Sequence, residues 1–239
     1  MKKIISYIRY WLGIRPSWRD CSKASCWFGS NANVRIMNIL SPHFTEQQFR
    51  DRVAKCEARG VNCFHLFLAN EKDGEGAGFM PDTAKLARVK WLAKRGYGIV
   101  LWLIADDSAG SWKRICKDPA AFVKSCKPFL PYASTVVLGL EMDEYGTAAQ
   151  WTALRDILRR EWKGKIGTHH TSGKVTFAAL GDLLFYQVDP GKTVGQINAE
   201  TVKALRTGRP VNFFELARHD NRELAQAALN AGAFGVGNW

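Results

Sequence analysis

The feature that most limits this fold is a rhythm: short apolar runs alternate with amphipathic stretches of helical length from residue 34 onward. The runs lie at 34–40, 62–69, 97–105, 135–141, 165–170, 182–188, 210–215 and 233–239. They are rich in Val, Ile, Leu and Phe and do not alternate strictly between apolar and polar. That is the pattern of parallel strands covered on both faces. The intervening segments carry helix punctuation. Thr45 with Gln48 and Thr147 with Gln150 form capping boxes. Asp118 stands before Pro119, a cap followed by a first-turn proline. Gly60, Gly96, Gly208 and Gly232 fall where helices should stop.

Eight strands with seven intervening helices predict an α/β fold, a (β/α)8 TIM barrel over residues 34–239, and a chain of 239 residues has the length for it. A doubly wound nucleotide-binding sheet would need a glycine-rich phosphate turn after its first strand. The turn here reads LSPHF, and neither GxGxxG nor GxxxxGK[ST] occurs. The last run ends at Trp239, so the expectation is a barrel lacking the eighth helix. Residues 1–33 read as a separate N-terminal helix and lead-in. Ile4, Ile5, Ile8, Trp11 and Leu12 share one helical stripe, which is expected to pack over the uncovered side of the barrel. Membrane-surface contact by residues 2–14 is the less favoured reading. Arg9 interrupts the apolar run and no small-residue cleavage site follows, so the segment is a poor export signal.

Charge narrows the partners. Lys and Arg number 34 against 22 Asp and Glu, a net charge of +12, which favours an acidic partner. The basic residues are spread over predicted helix faces, among them Arg50, Arg52, Lys85, Arg88, Arg155 and Arg159, and are not clustered with aromatics. No specific nucleic acid is therefore expected, and the partner that fits is an anionic polysaccharide bound by a monomer. The six cysteines lack a CxxC pair and read as reduced core thiols, so neither a metal nor another cofactor is expected.

In a barrel the C-terminal ends of the strands carry the active site. Those ends collect Asn38, His65, Trp102, Asp106, Glu141, Asp143, Glu144, His169, Tyr186, Gln187, Asp189, Glu215 and Trp239, while the opposite turns (RGVN, RGYG, LGD, TGRP, NAG) are chemically plain. Counting by two, Val211, Phe213 and Glu215 share a strand face, read as the barrel interior, and so do Val137, Gly139, Glu141 and Asp143. A carboxylate among interior side chains is expensive without a partner or a task. Two carboxyls across a barrel mouth suit glycoside hydrolysis: one protonates the leaving oxygen while the other attacks, or activates water, at an oxocarbenium-like centre. Trp102, Phe214 and Trp239 are candidate platforms for sugar rings, and the glycine-rich loop 70–81 is a candidate lid.

On the motifs LGLEMDE and NFFE, the chain resembles the retaining glycoside hydrolases of clan A. These carry an acid/base at the end of strand four and a nucleophile at the end of strand seven. The resemblance implies Glu215 as nucleophile and leaves Glu141 and Glu144 open as acid/base. The clan's Asn-Glu pair is absent, since Leu140 precedes Glu141 and Asp143 precedes Glu144. EMDEY, FYQVD and GAFGVGNW are loosely similar to family 18 chitinases. That similarity implies Glu144 as acid, Asp143 as its partner, Tyr186 as the clamp on an N-acetyl group and Trp239 as the floor of the site. Both imply cleavage of an amino-sugar-containing or acidic glycan, of the kind met by phage or bacterial cell-wall-degrading proteins. A non-catalytic carbohydrate-binding barrel is the rival reading.

Overall fold

The computed structural model describes residues 44–58, 63–69, 80–105, 109–171, 173–188, 191–215, 222–233 and 235–236. The N-terminal helix and the expected first strand lie outside these, as do Asn38, Asp106, Asp189, Trp239 and residues 70–79 of the loop.

Among the described residues, seven parallel strands form one sheet: β1 (Cys63–Phe67), β2 (Gly98–Trp102), β3 (Thr135–Val137), β4 (Lys165–His170), β5 (Leu183–Gln187), β6 (Val211–Glu215) and β7 (Gly235–Val236). Their order in the sheet is their order in the chain. Among the described strands the winding therefore does not reverse, unlike a doubly wound sheet with its switch point. The helices are α1 (Glu46–Ala58), α2 (Leu86–Lys94), α3 (Ala109–Lys117), α4 (Pro119–Cys126), α5 (Met142–Tyr145), α6 (Ala148–Glu161), α7 (Val194–Leu205) and α8 (Arg222–Asn230). The expected strands two to eight are thus β1 to β7.

The caps form as the sequence requires. Thr147 and Gln150 close a reciprocal capping box at the start of α6, and Thr193 with Gln196, a pair the sequence reading passed over in favour of a start at Asn198, does the same for α7. Asp118 accepts the Ala121 N–H at 2.8 Å, with Pro119 in the first turn of α4. Cys116 and Cys126 are free thiols, and Cys56, Cys63 and Cys126 are buried.

Side chains on the strands divide into two layers. Phe67, Val100, Trp102, Val137, Leu140 and Phe185 pack together on the inner side of the sheet. On the outer side, Leu66, Leu101, Val136 and Ile166 pack against Phe49, Leu154 and other helix residues. A second outer cluster joins Leu184, Tyr186, Val211 and Phe213 to Ile197 of α7 and Ala228 of α8. The inner layer is tight at β4, where a Cβ on Gly167 would stand 2.6 Å from the Phe185 ring and 3.1 Å from Val137.

This layering corrects the period-two reading of both acid-bearing strands. Val211 and Phe213 belong to the outer layer, not the interior, so Asn212 takes the inner position. The β5–β6 register then slips. Phe185 pairs with Asn212 and Tyr186 with Phe213, but Gln187 pairs with Glu215, so β6 carries one extra residue. The bulge places Glu215 level with Gln187, two residues beyond the inner Phe185. On the other strand, Val137 and Leu140 both join the inner layer although they are three apart. A Cβ on Gly139 would meet Ile104, Trp151 and Tyr145, which belong to the outer packing. Val137, Gly139, Glu141 and Asp143 therefore share no face. Regular strand geometry ends at Val137, before the expected limit at 141, and the chain turns into α5.

Candidate active site

The turn that carries the β3 carboxylates is unusual in its backbone. Glu141 sits at φ 46° and ψ 46°, the one non-glycine residue with positive φ among the described residues. A side chain in this left-handed region costs about 1–2 kcal/mol and persists only where surrounding contacts over-determine it. Such contacts are present along the turn. The Tyr145 hydroxyl donates to the Leu140 carbonyl. The Glu141 N–H donates to His169 Nδ1 at 2.9 Å, and Trp151 Nε1–H donates to the Met142 carbonyl at 2.9 Å. The Glu144 N–H returns to the Glu141 carbonyl at 2.9 Å.

The three acids of this turn have different environments. Glu141 is half-buried, at the point where the strained backbone turns. Glu144 is exposed. The Asp143 side chain is only 3% exposed and is fully engaged. It accepts the Thr171 N–H at 3.0 Å and the Thr171 hydroxyl at 2.6 Å, with Lys174 Nζ at 3.0 Å. Burial alone would raise its pKa. The Thr171 hydroxyl, the Lys174 ammonium and the Thr171 N–H outweigh burial and hold the carboxyl below its ordinary range.

Two histidines end β4 and face opposite ways. His169 is fully buried on the inner side, its ring 5.3 Å from that of Trp102 in an edge-on arrangement. Its Nδ1 accepts a backbone N–H, so the ring is neutral with its proton on Nε2. Burial first, and then the neighbouring His170, push its pKa well below the usual histidine value, with Asp143 opposing. His170 is buried beside Phe177, whose N–H it accepts at Nε2 at 2.8 Å. Burial lowers its pKa to about 4, opposed by Asp143 and assisted by Lys174.

Several candidates are placed differently from expectation. Trp102 is fully enclosed, donating from Nε1 to His65 Nδ1 at 3.1 Å with its ring 5.3 Å from Phe185. It is an interior strut between His65 and His169, not an open platform, because its indole points inward from the middle of the packed layer. Tyr186 is also enclosed, but in the outer layer against Phe213, and its hydroxyl accepts the Gly173 N–H. A ring on the helix side of the sheet does not serve as a clamp on a bound N-acetyl group, which corrects that assignment. Gln187 keeps a buried amide oxygen with no hydrogen-bond partner among the described residues, at the register position of Glu215. Glu215 is the last residue of β6.

Thr171 and Lys174 escaped the sequence reading. The available signal was the spacing of His169 and Thr171 at the end of a strand, but nothing in the sequence says that their partners lie 28 residues earlier, in the turn that follows another strand. No group of three or more His, Cys, Asp or Glu among the described residues is placed to hold a metal ion.

No protein-family model and no curated protein matches the sequence. Solved structures do match in fold. A GH113 β-1,4-mannanase superposes with a TM-score of 0.60 at 12% identity, over 82% of each chain. An exo-β-1,4-mannosidase from Opitutaceae bacterium strain TAV5 gives 0.60 at 16%, covering 91% of this chain and 54% of the other. A β-1,4-D-mannanase from Cryptopygus antarcticus gives 0.56 at 11%, covering 88% and 83%. The likeness is one of fold, to structures of glycoside hydrolases. The resemblance first drawn on LGLEMDE and NFFE therefore extends to the architecture.

Proposed function

We propose that the chain is a glycoside hydrolase in which Glu141 is the general acid/base and Glu215 the partner carboxylate, a nucleophile in the retaining scheme. The observation that carries the reading is the pair of broken strand ends. Four residues past the end of β3 the backbone turns left-handed at Glu141, and β6 carries an extra residue just before Glu215. Both departures fall at the C-terminal edge of the sheet, where this architecture performs chemistry. Strained and bulged backbone concentrates at such sites because it aims a side chain that regular structure would send elsewhere.

Glu141 is preferred over its neighbours on environment. Asp143 is saturated by donors and held ionised, which suits no proton donor. Glu144 is exposed to solvent. Glu141 is half-buried and its backbone N–H is held by a neutral imidazole, so it is the acid assigned to protonate the departing oxygen. The net charge of +12 supports an anionic polysaccharide as substrate, drawn in by long-range attraction.

The test is reducing-sugar release from mannan-, peptidoglycan-, chitin-type and acidic polysaccharides, comparing wild type with Glu141→Gln, Glu144→Gln and Glu215→Gln. Loss in Glu141→Gln and Glu215→Gln with folding intact, and retention in Glu144→Gln, is the expected result. Loss in Glu144→Gln alone would transfer the acid role to that residue. Glycan binding without release by wild type would make the chain a binding barrel.

A further inference from the structure

Resting on that reading, we propose that His169 is the positioning residue of Glu141: its buried imidazole holds the acid's own backbone N–H, while Thr171 secures the far end of the same turn through Asp143. Both contacts cross from the end of β4 to α5, at 2.9 Å for His169 and at 3.0 and 2.6 Å for Thr171. They are needed because β3 ends at Val137, leaving only isolated bonds such as Leu140 N–H to the Ile104 carbonyl to guide the chain onward. A non-glycine residue in left-handed backbone relaxes unless its neighbours prevent it.

His169 suits this task in three respects. It is an acceptor at Nδ1 and so demands the neutral ring, which burial enforces. It lies in the inner layer, where the Trp102 ring packs against it edge-on and is itself tied to His65. And its strand is closely packed there, because the absence of a side chain at Gly167 lets Phe185 close against the backbone. The geometry also moves Asp143 out of the catalytic set. Its carboxylate bridges α5 to Thr171 and Lys174 and sets the distance between the acid's turn and β4.

The experiment uses the full chain with His169→Leu, His169→Asn and Thr171→Val. Asn can present an amide oxygen where Nδ1 stood, so it is the conservative rescue. Kinetics are measured on the best glycan from the panel and on the dinitrophenyl glycoside of the same sugar, whose leaving group departs without protonation. His169→Leu should lower kcat on the glycan by about 10²-fold with little change in KM, should spare kcat/KM for the dinitrophenyl substrate, and should be largely reversed in His169→Asn. Hydrogen exchange at the Glu141 amide, read relative to the β2 amides, should be faster in His169→Leu and restored in His169→Asn. Equal losses on both substrates, or unchanged exchange at Glu141, would overturn the assignment. If His169→Leu does not fold, Thr171→Val decides by the same leaving-group comparison, and equal losses overturn it. If wild type hydrolyses nothing, the functional reading falls. The exchange result then stands alone: acceleration with rescue upholds the clasp, and no acceleration removes it.

Discussion

Replacing Glu141 by glycine should leave the protein more stable than replacing it by alanine, and this reverses the ordinary ranking of the two residues. Both substitutions delete the same carboxylate and keep the backbone N–H that His169 accepts. They differ in the cost of φ 46°, which only glycine adopts freely. The left-handed conformation costs a side-chain-bearing residue about 1–2 kcal/mol. Glycine gives back about 0.5–1 kcal/mol through its more disordered unfolded state. The expected margin is about 1 kcal/mol in favour of Glu141→Gly, or ~2–4 °C in Tm for a chain of this size. Ala153, exposed within α6, supplies the control. There Ala153→Gly should lose about 1 kcal/mol, since helix interiors disfavour glycine. Thermal and urea unfolding of the four proteins measure both margins. A Glu141→Gly variant that melts at or below Glu141→Ala would refute the left-handed assignment, and with it the argument that this position is strained for a task. Both Glu141 variants should be inactive, which separates the stability gain from function.

Three further outcomes are expected. The histidines are held neutral, His170 with a pKa lowered to about 4, so the unfolded chain binds more protons below its ordinary value near ~6.5. Stability is retained above that pH and falls as pH drops toward 4, by up to ~1.4 kcal/mol per pH unit for each histidine. Urea midpoints from pH 7 to 5 should fall more steeply for wild type than for His170→Gln, and parallel curves would count against it. Gly167→Ala forces a methyl to 2.6 Å from Phe185 and should destabilise by about 1–3 kcal/mol, read from the same denaturation curves. The apparent KM for an anionic glycan should rise between ~20 and ~150 mM salt, and a flat response would disconnect the +12 charge from substrate capture.

The sequence made the architecture legible because parallel strands and capped helices are local statements. Thr147 with Gln150 announces a helix start whatever the rest of the chain does. The strand ends were less legible. Period-two counting assumes an unbroken pleat, and it failed at Gly139 and again between Phe213 and Glu215. Neither break has a sequence signature of its own. Gly139 matters through the Trp151 and Tyr145 side chains that fill its missing Cβ, and the β6 bulge shows only in the pairing with β5. Trp102 and Tyr186 failed for the opposite reason. An aromatic near a strand end looks the same in sequence whether it faces the mouth, the packed interior or the helices.

These failures fall where the chemistry is proposed, and a physical reason connects the two. A regular strand sends successive side chains to opposite sides, so its last residue points wherever the alternation from its hydrophobic core dictates. On β6, the outer positions of Val211 and Phe213 would carry position 215 to the helix side by strict alternation. One extra residue brings Glu215 level with Gln187 instead. On β3, packing Val137 and Leu140 inside demands a phase change at Gly139, and the left-handed Glu141 completes the exit from the strand. Packing and site therefore make incompatible demands on the same few residues, and the backbone irregularities reconcile them. Removing a reconciliation should spare the core and cost the chemistry. Inserting one alanine between Phe214 and Glu215, which carries the acid one position further and so to the helix side by alternation, should leave the sheet foldable and abolish hydrolysis. Retained hydrolysis in that variant would show that the bulge does not aim Glu215.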